Sequence, residues 1–240
     1  AGNTSSTYYL YLDTTTPTGT IKNSSGTAIS GYTNGAFSYT ATDTGSGVSY
    51  LQYKKPGSSS WLSYTSGTTI ASTATNGQYQ FRAVDKAGNV SDTKTIYLDS
   101  AAPTGTIKNS SGTAISGYTG GAFSYTATDT GSGVSYLQYK TPGSSSWTTY
   151  SSGTTISASA TNGLYQFRAV DNAGNTSAVS SIYLDTAIAT EKITDSNGTT
   201  VTTTTNKAFK YTASDGLSGI AYMQYKKPNS TVWETYAAGT

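Results

Sequence analysis

The sequence predicts an all-β chain of tandem two-sheet sandwiches, and three observations point to this class. Trp61, Trp147 and Trp233 are the only tryptophans and lie 86 residues apart, and residues 17–54 and 103–140 differ at a single position. Large apolar residues alternate with polar ones, and helical spacing is absent. Turn sequences rich in Gly, Asn and Asp separate these runs. The spacing gives about seven short strands per repeat, which is typical of a sandwich.

Each predicted strand has one apolar face, because neighbouring side chains in a strand point to opposite sides. The strands are predicted to start near Gly19, Ala36, Val48, Trp61, Thr69, Gln78 and Thr93. The inward-facing residues that this alternation predicts are Phe37, Tyr39, Tyr79, Phe81, Ala83, Ile96 and Leu98. One-sided alternation favours antiparallel sheets that each have one solvated face.

The 86-residue period also predicts the domain organisation. The expected units are 1–13, the last strand of a preceding repeat; 14–99 and 100–185, two complete repeats; and 186–240, a partial repeat lacking its last strands. Pro17 and Pro103 precede the first strand of each complete repeat, and because proline fixes φ we expect stiff joints. Ala189 replaces this proline in the third copy, so that joint is expected to be less rigid.

The composition argues against catalysis. The chain has no histidine and no cysteine, which removes the commonest general base and all thiolate chemistry. Serine and threonine are abundant, but without a base they are poor nucleophiles. We therefore expect a protein that is not an enzyme, with no catalytic, cofactor-binding or metal site and no cofactor. The formal net charge of +2 is too small to indicate a nucleic-acid partner, and no apolar run is long enough for a transmembrane segment.

Aspartates recur at two turns of every repeat. Asp43, Asp129 and Asp215 begin a D-x-x-S-G turn, and Asp85 and Asp171 begin a D-x-A-G-N turn. The sequence favours Asx-turns, in which the carboxylate accepts backbone N–H groups and glycine takes positive φ. Calcium binding by clustered oxygen ligands is the alternative, and the lack of a D-x-D-x-D run argues against it.

The aromatic residues admit two interpretations. Tyrosine is in excess, with 21 residues against five Phe, and Tyr50, Tyr97 and Tyr183 are candidates for an outward-facing set. Exposed aromatic rings stack on sugars or serve protein interfaces, whereas packing between cross-strand neighbours is the structural alternative. Trp61 and Trp147 are expected to anchor a corner of the core, as tryptophan does in many sandwiches.

An internal Lys–Asn cross-link is a further alternative. Lys54, Lys140 and Lys226 recur, as do Asn89 and Asn175. The lysines stand in or next to a polar turn that contains proline, where a solvated side chain is the expected state.

The combined motif is similar to a known family. It reads A-T-D-x-x-S-G-V, then L-Q-Y-K, then P-x-x-x-x-W, then N-G-x-Y-Q-F-R-A-V-D-x-A-G-N-x-S. It resembles the bacterial immunoglobulin-like repeats of large surface and adhesin proteins, including the OmpL47-type repeats. The resemblance implies immunoglobulin-like sandwiches in an extracellular, rod-forming array without catalytic residues.

The predicted function is therefore a structural or adhesive stalk or fibre at the bacterial cell surface. Two alternatives stay open: a glycan- or protein-binding module that acts by multivalency, and a subunit of a self-assembling extracellular filament or sheath. The corresponding partners are further copies of the chain, or glycans or proteins of a host or cell surface.

Overall fold

A computed structural model describes residues 2–237, and all regular structure in that range is β. The first repeat contains β1 (Thr18–Asn23), β2 (Gly31–Thr33), β3 (Phe37–Thr42), β4 (Val48–Lys54), β5 (Leu62–Tyr64), β6 (Gly77–Asp85) and β7 (Lys94–Leu98). The second contains β8 (Thr104–Asn109), β9 (Gly117–Thr119), β10 (Phe123–Thr128), β11 (Val134–Lys140), β12 (Thr148–Tyr150), β13 (Gly163–Asp171) and β14 (Ser180–Leu184). The third contains β15 (Thr190–Asp195), β16 (Phe209–Ser214), β17 (Met223–Tyr225) and β18 (Glu234–Tyr236). Over the described range no helix is long and apolar enough to cross a membrane.

The strands show tandem immunoglobulin-like sandwiches with the predicted period. Each strand from β8 to β14 begins and ends 86 residues after its counterpart in the first repeat. In the first repeat β1 pairs antiparallel with β3, and a second sheet has the order β2-β7-β6-β4-β5. In that second sheet only β2 runs parallel to its neighbour β7. The second repeat has the same two sheets.

Two details of the strand prediction were wrong. The strand expected near Thr69 is reduced to an isolated bridge between Phe37 and Ile70. Strand β2 was not predicted, because its three residues are too few to show alternation. A parallel ladder to β7 holds β2 in place, and this pairing is not visible in the local sequence.

The core of the first repeat lies between the two sheets, and the predicted inward set is confirmed. Its buried residues are Ile21, Phe37, Tyr39, Leu51, Tyr64, Tyr79, Phe81, Ala83, Ile96 and Leu98. Phe81 is central, because its ring stacks on Tyr39 at 5.0 Å and meets Phe37 edge-on at 6.2 Å between ring centroids. Such aromatic pairs stabilise a core by about 0.5–1.5 kcal/mol beyond the area that they bury.

The buried Tyr64 hydroxyl ties the two sheets together. It accepts a hydrogen bond from the backbone N–H of Tyr39 at 3.0 Å and donates to the carbonyl oxygen of Thr68. Tyr150 repeats both contacts in the second repeat, with Tyr125 and Thr154. A buried backbone N–H on β3 is thereby satisfied by a side chain from β5 of the opposite sheet.

Glycine at the second residue of β1 makes room for Tyr39. A Cβ atom at Gly19 would lie 1.9 Å from the Tyr39 hydroxyl oxygen, and the same holds at Gly105, where the distance to the Tyr125 hydroxyl oxygen is 1.8 Å. The third copy has Glu191 at this position, and there the Tyr211 hydroxyl donates to the Glu191 carboxylate at 2.5 Å. This position is occupied by glycine in the first two repeats and by a side chain that accepts a hydrogen bond from the tyrosine hydroxyl in the third.

The ends of the described chain lack partner strands. The third repeat has counterparts of β1, β3, β4 and β5 only, and Phe209 is 61% exposed where its counterpart Phe37 is 1% exposed. Residues 2–13 form no strand, and Leu10 is 99% exposed. In the third repeat β15 still pairs with β16 and β17 with β18, but no five-stranded sheet covers the apolar face of β16 within the described residues.

By spatial contacts the chain falls into two compact units. One comprises the residues up to Thr104 with 127–137 and 169–178, and the other comprises 105–126, 138–168 and the residues from Val179 onward. The first unit thus contains the whole first repeat together with two loop regions of the second. The repeat boundaries at 99/100 and 185/186 remain a prediction.

Candidate functional site

An aspartate directly after β7 connects the first repeat to loops of the second. The Asp99 carboxylate accepts the backbone N–H of Ser132 at 2.6 Å and that of Ala101 at 3.0 Å. The side-chain amide of Asn175 donates to the Asp99 backbone carbonyl at 2.8 Å. We call the set Asp99, Ser132 and Asn175 the Asp99 clasp, and all three residues belong to the same compact unit.

The same arrangement recurs 86 residues earlier. Asp13 accepts the backbone N–H of Ser46 at 2.5 Å and that of Thr15 at 2.9 Å, and Asn89 donates to the Asp13 carbonyl at 3.0 Å. At the third joint the Asp185 carboxylate accepts the backbone N–H of Ser218 at 3.0 Å. The clasp is therefore a property of the repeat and not of one joint.

A glycine in the D-x-G-S-G loop allows the carboxylate to approach. A Cβ atom at Gly131 would lie 2.3 Å from a carboxylate oxygen of Asp99, and a Cβ atom at Gly45 would lie 2.3 Å from that of Asp13. Neither glycine has a positive φ, so close approach and not backbone conformation requires it. The third copy has Leu217 at this position, and its clasp hydrogen bond is the longest of the three.

Asp43 forms the predicted Asx-turn, and Asp85 accepts the backbone N–H four residues later in its own turn. Asp43 Oδ2 accepts the backbone N–H groups of Gly45 at 3.0 Å and Gly47 at 2.8 Å, and Gly47 has a φ of 82°. Asp85 accepts the backbone N–H of Asn89 through Oδ1 and its side-chain amide through Oδ2, both at 2.7 Å. Asp85 thereby also orients Asn89 toward the carbonyl of Asp13.

The turns and the clasp gather carboxylates that lie far apart in sequence. Carboxylate oxygens of Asp13, Asp43 and Asp85 all lie within 4.8 Å of one another, and those of Asp99, Asp129 and Asp171 do the same. These six residues are the ones that could hold an oxygen-liganded cation such as Ca²⁺. Backbone and side-chain N–H groups already bond to most of these carboxylates. Asp43 Oδ1 is an exception, since it is buried and has no hydrogen-bond partner in the described structure. The expectation of no metal site remains a prediction.

Hydrogen bonds keep the clasp carboxylates ionised. Bonds from the backbone and side chain of Ser46 lower the pKa of Asp13 to about 2. Burial raises the pKa of Asp99, but hydrogen bonds from Ser132 and Ala101 outweigh it, so this pKa also lies below its usual value. At neutral pH both joints therefore contain a charged acceptor, which forms stronger hydrogen bonds than a neutral one.

Trp61 and Trp147 each lie on the outer face of the five-stranded sheet of their repeat, so the prediction that they anchor the core was wrong. The Arg82 guanidinium lies 4.2 Å from the centroid of the Trp61 ring, and Lys54 Nζ lies 4.8 Å from it. Trp147 has the same two neighbours, Arg168 at 4.3 Å and Lys140 at 4.8 Å. The buried position in β5 is taken by Tyr64, which leaves the tryptophan on the solvated side.

A pair of tyrosines lies elsewhere on the same face. Tyr32 of β2 contacts Tyr97 of β7 at 5.7 Å, and Tyr118 stacks on Tyr183 at 5.1 Å between ring centroids. Tyr32 and Tyr118 are 47% and 54% exposed. The outward orientation predicted for Tyr97 and Tyr183 is confirmed. Their partners were missed because they belong to the short strands β2 and β9.

The structure does not pair the residues of the hypothetical Lys–Asn cross-link. Lys54 lies over Trp61, whereas the Asn89 amide donates to the Asp13 carbonyl and the Asp85 carboxylate. Each group has its own partner, so the cross-link has no structural support.

Comparisons with known proteins do not contribute to the fold assignment. No family model matches the chain, and no curated protein matches it. A solved structure of fibronectin(III)-like modules of Clostridium thermocellum CbhA is similar over 68% of this chain and 92% of that chain, with 17% identity and a TM-score of 0.32. The assignment of immunoglobulin-like sandwiches therefore rests on the strand order and the buried faces described above.

Proposed function

We propose that the chain is a section of an extracellular stalk of a bacterial surface protein, built from repeats of the immunoglobulin-like, OmpL47-type kind that its motifs resemble. The observation that carries the proposal is the clasp, which recurs at the same position of each repeat. A stalk requires joints of defined geometry, because the reach of a flexible chain grows only with the square root of its length.

The Asp99 clasp suits this role because it connects three separate segments. Asp99 is completely buried and follows β7 directly, while Ser132 and Asn175 come from two loops of the next repeat. Buried Pro103 then fixes the backbone at the start of β8. Hydrogen bonds to a charged group contribute about 1.5–3 kcal/mol each, so a joint with these bonds resists bending more than an unbonded linker.

We also propose that the role is non-catalytic and extracellular. The repeats consist of packed sheets and short turns, and the chain has no histidine or cysteine. The recurring polar clusters supply the hydrogen bonds of the joints. Self-assembly into a filament is a separate possibility, which sedimentation velocity of the 240-residue chain would detect as a concentration-dependent increase in mass.

The absence of cysteine allows a direct test of the joint. Spin labels at exposed Ser59 and Ser145, which are equivalent turn positions, would report the distance between the first two repeats by pulsed electron resonance. We expect a narrow distance distribution that broadens in the Asp99→Ala variant and stays narrow in Asp92→Ala, because Asp92 is an exposed aspartate outside the clasp. A broad distribution in the parent chain would contradict the proposal.

The stalk role itself is tested at the cell surface. Deletion of residues 100–185 removes one whole period and should shorten the projection seen by electron microscopy while leaving the protein displayed. Unchanged length would show that this section does not contribute to reach.

A further inference from the structure

We infer that the outer face of the five-stranded sheet binds an anionic polysaccharide, an activity beyond that of a stalk. We define this outer face in the first repeat by six residues that point away from the core: Tyr32, Lys54, Trp61, Gln80, Arg82 and Tyr97. Its counterpart in the second repeat has Tyr118, Lys140, Trp147, Gln166, Arg168 and Tyr183.

The strand register places these side chains in adjacent rows. Tyr32 lies opposite Tyr97, and Gln80 lies opposite Lys54. Arg82 lies opposite Gln52 and donates a hydrogen bond from Nε to its side-chain carbonyl at 2.8 Å. This bond and the contact with Trp61 orient the guanidinium, which is thus positioned before any ligand arrives.

The acidic residues of the repeat lie outside this face. All four acidic residues of the first repeat lie at turns, at the end of a strand or directly after one, namely Asp43, Asp85, Asp92 and Asp99. The outer face holds Lys54 and Arg82 and no carboxylate. The second repeat keeps the same separation, with Lys140 and Arg168 on the face. A face with two cations and no acid is complementary to an anionic partner even though the chain is nearly neutral.

The other side chains on this face favour a sugar polymer. Exposed tyrosine rings offer flat apolar surfaces with a polar edge, which suits the alternating C–H and hydroxyl groups of a pyranose. Gln80 supplies an amide that can donate to and accept from hydroxyl groups. The two cations would pair with uronate or sulfate groups. Repetition of the face along the chain then allows one long polymer to engage several weak sites.

The three tryptophans provide a built-in reporter, because each packs against a lysine at the end of its β4-type strand. We expect that titration of the 240-residue chain with oligogalacturonate changes the tryptophan fluorescence saturably. The affinity should fall as salt is added, since salt screens exposed charges over about 10 Å at 0.1 M. Neutral dextran of the same length should give no comparable change.

A matched pair of double variants distinguishes a specific binding site from nonspecific electrostatic attraction to a polyanion. Lys54→Gln with Lys140→Gln removes one cation from each face and should weaken binding at least about fivefold. Lys22→Gln with Lys108→Gln makes the same change in net charge on β1 and β8 of the other sheet, and it should leave the affinity unchanged. Circular dichroism checks that both variants are folded.

Four results would overturn the inference: no fluorescence change, equal loss of affinity in both double variants, equal binding of neutral dextran, or much tighter binding of oligothymidylate. Single-stranded nucleic acid is included because it uses the same aromatic and cationic groups.

A further variant replaces the four tyrosines of the outer faces with serine and tests the stacking contribution; these are Tyr32, Tyr97, Tyr118 and Tyr183. It should weaken binding further. The joint experiment with spin labels is independent, so failure of polysaccharide binding leaves the stalk proposal standing.

Discussion

Replacement of Asp99 by alanine removes the centre of the joint between the first two repeats. Its carboxylate accepts two backbone N–H groups, from Ser132 and Ala101, and bonds to a charged acceptor contribute about 1.5–3 kcal/mol each. Ala101 is exposed, so its N–H regains a bond to water, whereas buried Ser132 does not. We therefore expect the free energy of unfolding to fall by about 2–4 kcal/mol, most of it from the orphaned Ser132 N–H.

Urea denaturation followed by circular dichroism measures the change, and limited proteolysis locates it. The segment 99–103 should become susceptible to a protease of broad specificity at concentrations that leave the parent chain intact. Asp92→Ala is the control, since Asp92 is exposed and its carboxylate makes no hydrogen bond in the described structure; it should change stability by less than about 0.5 kcal/mol.

Gly131→Ala tests the same joint from the opposite side. The added Cβ would overlap the Asp99 carboxylate, so this variant should show the same proteolytic cleavage with the aspartate still present. Gly121→Ala is its control, because the nearest atom there is 3.8 Å from the added Cβ and φ is also not positive. If Asp99→Ala is as stable as Asp92→Ala, or if Gly131→Ala behaves like Gly121→Ala, the clasp does not hold the joint and the reasoning is refuted.

Two further predictions concern the acid response and the core. The pKa of Asp13 is about 2 in the folded chain, whereas its ordinary value is about 3.9. The pKa of Asp99 is shifted in the same direction. The contribution of both carboxylates to the free energy of unfolding is therefore complete above about pH 4 and is lost as the pH falls toward 2. Thermal denaturation from pH 7 to pH 2 should show this loss of stability. A double variant, Asp13→Ala with Asp99→Ala, should lose less stability over the same pH range. An equal loss in the double variant would assign the effect to other carboxylates. Tyr64→Phe should lower the free energy of unfolding by about 1–3 kcal/mol, because it leaves the buried Tyr39 N–H without an acceptor. Tyr53→Phe is the control and should be near neutral, because the Tyr53 hydroxyl has no hydrogen bond within residues 2–237. Equal effects of the two substitutions in urea denaturation would exclude a role for the Tyr64 hydroxyl.

The sequence predicted the core and the turns because both are encoded locally. Alternation places Phe37, Tyr39, Tyr79 and Phe81 on one side of their strands regardless of which strands pair. The Asp43 turn is likewise decided within five residues, since its carboxylate bonds to N–H groups two and four residues later. These features need no knowledge of the tertiary structure.

The joint and the outer face were not predicted because both depend on long-range placement. Asp13 and Ser46 are 33 residues apart, and no local pattern shows that the first accepts the N–H of the second. Trp61 was assigned to the core because tryptophan anchors the core in many sandwiches. Tyr64 fills that position instead, and its hydroxyl accepts the Tyr39 N–H, which an indole cannot do because it only donates. The sequence offers one indication of the outer face, because Lys54, Arg82 and the tryptophan all recur at the equivalent positions of the next repeat.

The third copy serves as a natural variant of the joint, and its differences agree with the physical argument. It replaces the approach glycine with Leu217, the rigid proline with Ala189 and the core-facing glycine with Glu191. Its aspartate, Asp185, still bonds to Ser218, but at 3.0 Å instead of the 2.6 Å of the Asp99 clasp. The longer bond beside Leu217 is in the direction expected when a side chain occupies the position of Gly131. If the clasps stabilise the joints as proposed, the joint at Asp185 is expected to be the less stable one, because it has the longer bond and lacks the proline.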